Sequence, residues 1–242
     1  DVIANGVNAS GVKYALIPRF SDNFKPSAQN NSETVFAVQM AVPKGDNGRN
    51  GNAGDALNFP GGGQTTCCGF YQPSFSLVNA FKVDAVTGLP LFENDAYNAT
   101  NLKNDYGIES ATPYTPSTEP VDPRLDWTAG RRGIPYLDWG LHPGKAWIRA
   151  QAAAGPYLPV KNLFWASEKA TESDSFDGWA ANQSTGNNYN YIRFADVLLM
   201  AAECEVELGN LPQAVAYVNQ VRSRVSDPAT WVHTYVDNED PT

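Results

Sequence analysis

Apolar residues recur at positions 192, 195, 199, 202 and 206 between Asn190 and Leu208, the three-to-four spacing that lines one face of an α-helix. The pattern predicts a helix over 190–208. Gly209 stands where a left-handed residue closes a helix, and Asn210 where a side chain opens the next one. Pro212 falls in the first turn of a second helix, where its missing N–H leaves nothing unsatisfied. That helix carries Ala214, Val218, Val221 and Val225 at the same spacing. Two helices joined by so short a turn form an antiparallel αα-hairpin. Phe194, Val197, Leu198 and Met200 fall outside the first stripe, so the apolar surface runs nearly all round. One hairpin cannot bury both faces and is expected to stack on further helices, which this sequence does not supply.

Upstream the pattern changes. Ser32 to Met40 is β-branched and aromatic with partial alternation, which predicts a short strand. Pro43 to Thr66 holds seven glycines and four asparagines, turn chemistry over a stretch too long for a simple connection, so it is either mobile or functional. Pro73 to Lys82 predicts a short helix with Ser74 as N-cap and Leu77, Val78 and Phe81 on one face. Glu93 to Pro120 reads as irregular and exposed. The chain therefore divides into a loop-rich part (1–189), the hairpin (190–226) and a polar tail (227–242), all expected to belong to one larger domain. Small and large residues around Ala202, Gly209, Ala214 and Val221 match a single tetratricopeptide repeat.

At 242 residues the chain is long enough for one large domain with a core. Its net charge is −9 and no run of Lys or Arg exceeds Arg131-Arg132, which excludes the cation clusters that nucleic acid or an anionic membrane surface requires. No apolar stretch approaches the roughly 18 residues of a membrane helix. Asp1 to Gly6 has no signal-peptide character, so any export signal or lipid anchor is expected upstream. Cys204, inside the predicted helix, reads as a buried free thiol. Cys67 and Cys68 are either two thiols or a strained vicinal disulfide, and the sequence leaves both open.

No catalytic constellation emerges. His142 and His233 lack a serine elbow or a metal-ligand spacing and read as ordinary loop histidines. Gly61-Gly62-Gly63 is not followed by the Lys-Ser/Thr of a phosphate loop and reads as flexibility or close backbone approach. Glu203, Glu205 and Glu207 read as helix-surface carboxylates. Binding is better supported. Aromatic rings bury the C–H faces of sugars while amides, carboxylates and guanidinium groups take the hydroxyls. Phe59, Phe70, Tyr71, Tyr136, Trp139, Trp147, Trp165 and Trp179 lie in loops rather than helix stripes. Phe70, Tyr71 and Trp139 are the candidate ligand-binding residues, each weighed against a role as a core plug. Asp122 to Trp139 interleaves Asp, Arg and Trp; Arg–Asp pairs stiffening an irregular segment are preferred there to a sugar site.

Asn190-Tyr191-Ile192-Arg193-Phe194-Ala195-Asp196-Val197-Leu198-Leu199-Met200-Ala201-Ala202-Glu203 resembles the most recognisable segment of the SusD/RagB family. Val218-Asn219-Gln220-Val221-Arg222 continues the match, and Asn31-Ser32-Glu33 before Phe36-Ala37-Val38-Gln39 is similar to the family's Asn-Ser-Glu and strand. Asp122-Pro123-Arg124-Leu125, Gly155-Pro156-Tyr157 and Lys161-Asn162 keep the family's order. The family's proteins are longer, opening with a lipoprotein signal and several tetratricopeptide helices, so the sequence reads as an internal piece. The resemblance implies a mainly α fold, a tetratricopeptide-like hairpin with a large irregular subdomain containing short strands. It implies non-catalytic capture of oligosaccharides at the outer-membrane surface of Bacteroidetes-type bacteria, and their delivery to a SusC-like TonB-dependent transporter. No obligatory cofactor or metal is implied. RagB-type members take up peptides, and the alternative reading is a tetratricopeptide-type scaffold for peptides or proteins.

Overall fold

The carboxylate of Glu33, wholly buried, is where the chain's distant segments meet. The computed structural model describes residues 1–43, 45–63, 68–176 and 180–232. Arg224 Nη1 lies 2.8 and 2.7 Å from the two Glu33 oxygens, and Arg193 Nη1 lies 3.4 Å from Oε1. Asn23 Nδ2 and the Ile17 N–H donate to Oε2 at 3.2 and 3.1 Å. The Glu33 carbonyl accepts the Phe194 N–H at 2.7 Å. A carboxylate stripped of water is tolerated only when its oxygens are filled in this way. Arg193 Nη2 also lies 3.8 Å from Asp196 Oδ1, and with Lys161 beside the two arginines the cluster keeps a positive excess. The rings of Phe20 and Phe24 take part of it: Arg224 stands 5.2 Å from the Phe20 centroid, Arg193 5.6 Å and Lys161 4.7 Å from that of Phe24.

The fold is mainly α, with short strands. In chain order the elements are α1 (Val2–Asn5), β1 (Thr34–Val38), α2 (Phe75–Asn79), β2 (Ala129–Gly130), α3 (Gln151–Ala154), β3 (Leu158–Pro159), α4 (Lys169–Glu172), β4 (Ser173–Phe176), β5 (Ala180–Thr185), β6 (Tyr189–Arg193), α5 (Phe194–Glu207) and α6 (Leu211–Ser223), with short 3-10 turns between them. The strands pair two by two, all antiparallel: β1 with β6, β2 with β3, β4 with β5.

The expected hairpin is present, and its turn is a Schellman closure. The Gly209 N–H donates to Val206 O at 2.9 Å and the Asn210 N–H to Glu205 O at 2.8 Å. Gly209 holds φ at 75°, a left-handed angle that a Cβ would strain. The first helix, however, begins at Phe194 rather than Asn190. Tyr-Asn-Tyr-Ile alternates as a strand does, and β1 is there to pair with it. Asp196 then opens the helix, its Oδ2 accepting the Arg193 N–H at 2.8 Å.

The buried face of α5 is also rotated from the expected stripe. Phe194, Ala195, Leu198 and Ala202 are buried, whereas Leu199 and Val206 are exposed. A nearly continuous apolar run fits several helical faces. The inward one is chosen by packing on Val221 of α6 and on Ile3, Tyr14, Leu16 and Val35. Cys204 consequently faces solvent as a free thiol instead of lying buried.

Two more expectations need correction. The stretch from Glu93 to Pro120 is not wholly exposed: Leu102 is fully buried and Asp105 nearly so. Leu102 joins Val78, Leu125, Ala129 and Tyr157 in a core beneath α2. On α2, Ser74 caps as expected, its Oγ accepting the Leu77 N–H at 3.1 Å, but Leu77 itself points outward. A third cluster joins Ala56, Phe59, Tyr136, Ile148, Leu158 and Phe164. A fourth packs Phe20 on Trp127, Ile134 and Val232.

Burial, reinforced by Arg193 and Arg124, pulls the Lys161 ammonium down to about 8. The unfolded chain therefore binds a proton that the folded one lacks between about pH 8 and the ordinary lysine value of 10.5. Stability from this group rises with pH across that window; below it both states are protonated and the burial cost is fully felt. Chemical denaturation of wild type and Lys161→Met at pH 7 and pH 10 should show the wild type gaining relative to the variant by ~1 kcal/mol or more. An unchanged difference would show that Lys161 is not desolvated.

Candidate ligand-binding surface

The glycine run owes its composition to close approach. A Cβ on Gly61 would stand 2.8 Å from Arg149 Cα, one on Gly62 would strike the Ala146 carbonyl, and one on Gly63 the Trp147 indole. The run is thereby laid against residues 146–149, and the Gly61 N–H donates to Trp147 O at 2.8 Å. Phe59, just before it, is buried against Phe164 with centroids 5.2 Å apart. The run 61–63 is thus anchored.

Beyond it the chain turns outward. Phe70 is 53% and Tyr71 57% exposed. The Phe70 N–H donates to Leu57 O at 2.9 Å. Arg149 Nη1 donates to Cys68 O at 3.0 Å, and its guanidinium carbon stands 4.0 Å from the Phe70 centroid. One arginine therefore fixes the backbone and stacks on the ring. Gln72 Nε2 donates to Gly155 O at 2.8 Å. Cys68 is disulfide-bonded, while Cys67 lies outside the described residues, as do His233 and Trp179.

Trp139 is placed differently. It is half-buried on the Phe59–Phe164 core, its indole N–H donating to Phe164 O at 3.2 Å and its ring edge-on to Phe164 at 5.7 Å. Among the described residues no hydrogen bond or ring contact joins it to Phe70 or Tyr71. Tyr136 is core, its hydroxyl donating to Pro159 O at 2.5 Å. Trp147 meets Tyr136 and His142 edge-on, and Trp165 leans on Trp127 under the ammonium of Lys25.

The segment from Asp122 is stiffened by ion pairs, Arg124–Asp122 at 2.5 Å and Arg131–Asp126 at 2.6 Å. Arg132 lies 4.0 Å from Asp105 Oδ2 and donates to the carbonyls of Ser110 and Thr112 at 2.7 and 2.6 Å, closing the preceding loop over it. His142 is buried and its Nδ1 accepts the Gly144 N–H at 2.9 Å. Burial pushes its imidazole down to about 3, which leaves it neutral and without access to a substrate. Burial likewise raises Asp55 well above the carboxylate range, against hydrogen bonds from Thr185 and Asn58. Asp55 serves to tie the 53–58 turn to β5, Thr185 Oγ1 donating at 2.8 Å. Among the described residues no group of three or more His, Cys, Asp or Glu could hold a metal ion. No helix there is long and apolar enough to cross a membrane.

Exposed rings outside the expected ligand set include Phe36, Tyr189 and Tyr191, at 57%, 47% and 62%. Period-two spacing of Tyr189 and Tyr191 was the signal, hidden by reading 190–193 as helix.

A helical hairpin carrying a loop-rich, aromatic-bearing body defines the class of protein. The chain belongs to the SusD family, whose model matches residues 32–242. It is 26% identical over 222 residues to SusD-like protein P25 of Formosa agariphila, covering 87% of this chain and 35% of that protein. The fold is similar to a SusD superfamily protein from Bacteroides vulgatus, with a TM-score of 0.47 and 18% identity over 97% of this chain and 39% of that one. A SusD-like protein from Bacteroides fragilis gives 0.48 and 19%, over 94% and 42%. The chain thus spans 35% of the length of the curated relative.

Exposed rings contribute little to folding, and half-buried ones more. Phe70→Ala and Tyr71→Ala should each change the unfolding free energy by less than ~1 kcal/mol. Trp139→Ala should cost about 2 kcal/mol or more through lost packing and the lost indole hydrogen bond. Urea denaturation of the three variants checks this ordering; equal losses would contradict it.

Proposed function

We propose that this protein captures oligosaccharides at the bacterial cell surface without altering them chemically. It then passes them to a SusC-like TonB-dependent outer-membrane transporter. Phe70, Tyr71 and Trp139 belong to the ligand site, Phe70 and Tyr71 as exposed stacking rings and Trp139 as a half-buried ring on the Phe59–Phe164 core. The protein is held at the outer membrane by a lipid anchor. Membership of the SusD family supports the reading. The observation that carries it is the pair Phe70–Tyr71, held outward on an anchored loop with Arg149 stacked on one ring. Rings bury sugar C–H faces, and a guanidinium with spare N–H groups takes hydroxyls.

One observation favours a second reading, a scaffold for peptides or proteins. The hairpin's outer side exposes Leu199, Met200, Val206 and Val215 at 40%, 53%, 51% and 56%. A glycan array probed with the full-length protein separates the two. Binding of glycans, weakened ~5- to 150-fold by Tyr71→Ala or Phe70→Ala at unchanged stability, is the expected result. A full-length protein that binds no glycan and captures peptides through the hairpin would overturn it.

A further inference from the structure

The rings of Phe36, Tyr191 and Tyr189 form a continuous exposed patch on the outer face of the β1–β6 pair. Phe36 and Tyr191 stand 5.8 Å apart between centroids, and Tyr191 and Tyr189 5.1 Å. Irregular register between Thr34 and Ala37 aims them. Val35 goes inward onto the hairpin core and Phe36 outward, as neighbouring residues of a strand do.

Phe36 is also one wall of a cleft of about 500 Å³. The cleft's other lining includes Asn8, Ser10, Asn30, Thr34 and Gln39, and every residue around it is neutral. Its amides are fixed in place. Asn30 Nδ2 donates to Gln39 Oε1 at 2.9 Å and Gln39 Nε2 returns a bond to Asn30 Oδ1 at 3.0 Å. Asn188 Nδ2 donates to both of these oxygens, at 3.2 and 3.1 Å. Each of the two donor amides keeps a second N–H. Among the described residues the hydroxyls of Ser10, Thr34, Tyr189 and Tyr191 form no hydrogen bond.

We infer that this cleft and its ring patch are a second carbohydrate subsite, separate from Phe70 and Tyr71, for a short neutral oligosaccharide. The volume lies within the range of small-molecule clefts. A sugar presents an apolar C–H face to a ring and uncharged hydroxyls to its edge, which matches stacked rings beside neutral amides and free hydroxyls. An acidic sugar would find no cation in the lining. An apolar protein face would strand the amides and hydroxyls of the cleft without partners. The inference deepens the proposed function and rests on its glycan-binding reading.

The test is a glycan array, followed by calorimetry with the neutral oligosaccharides retained, on the full-length protein and its Phe36→Ala, Tyr191→Phe, Tyr191→Ala and Phe70→Ala variants. Thermal melts establish that each variant is folded; Tyr191→Phe keeps the ring should Tyr191→Ala destabilise. Phe36→Ala and Tyr191→Ala should each weaken binding of a neutral oligosaccharide by ~10-fold, and Tyr191→Phe by less. Retained glycans that bind all of the β1–β6 variants as they bind wild type overturn the subsite and leave the proposed function standing. Retention of acidic glycans only also overturns it. A wild type that retains no glycan overturns both. A full-length dimer dispersed by Phe36→Ala, with glycan affinity unchanged, shows instead that the patch is a protein contact and overturns the subsite.

Discussion

The hairpin, the β1–β6 pair and the first twenty-odd residues are tied together at one buried carboxylate. Glu33 lies at the mouth of β1 and is reached by Arg193 at the end of β6, by Arg224 just past α6, by Asn23 and by the backbone of Ile17. Those partners come from segments far apart in sequence. Loop closure over such separations costs chain entropy, and a shared ion is one of the few contacts strong enough, once desolvated, to fix several at once. The same carboxylate makes the arrangement intolerant. Removing it would leave the buried Arg224 without a carboxylate, while Arg193 would keep Asp196, and an unpaired buried charge is far costlier than the pair was favourable.

The hairpin and the loop-rich body are joined through this point. β1 carries Glu33 before it and Phe36 within it; β6 carries Tyr189 and Tyr191 and ends at Arg193. Setting the ion cluster sets the β1–β6 register, and the register decides which rings face outward. The Phe70–Tyr71 loop is fixed by a separate device, the glycine run laid against 146–149 and the Arg149 bridge to Cys68 O. Rigid support beneath exposed rings is what a binding surface needs, because little ordering entropy is then lost when a ligand arrives.

Much of this was legible in the residues. The αα-hairpin, the Gly209 closure, the Ser74 cap, the strand after Asn31-Ser32-Glu33 and the Arg–Asp pairs near residue 124 all follow from local chemistry, which the sequence displays. The misreadings share one cause. Residues 190–193 and the inward face of α5 are decided by partners distant in sequence, β1 and the first twenty residues. An apolar run as dense as Ala195 to Ala202 supports more than one helical face, so periodicity could not choose Leu198 over Leu199. The burial of Leu102 has the same origin, since a single apolar residue in a polar loop gives no period at all. The hub was hidden for a further reason: nothing local to Glu33 distinguishes a buried glutamate from an exposed one.

The most direct measurement is the unfolding free energy of the full-length protein with Glu33→Gln, an isosteric change that keeps the side chain and removes the charge. The account predicts a loss of about 3–5 kcal/mol, with part of it recovered when Arg224→Met is added, because the two sites are coupled. A loss within ~0.5 kcal/mol of zero, the range of an ordinary surface substitution, would contradict it.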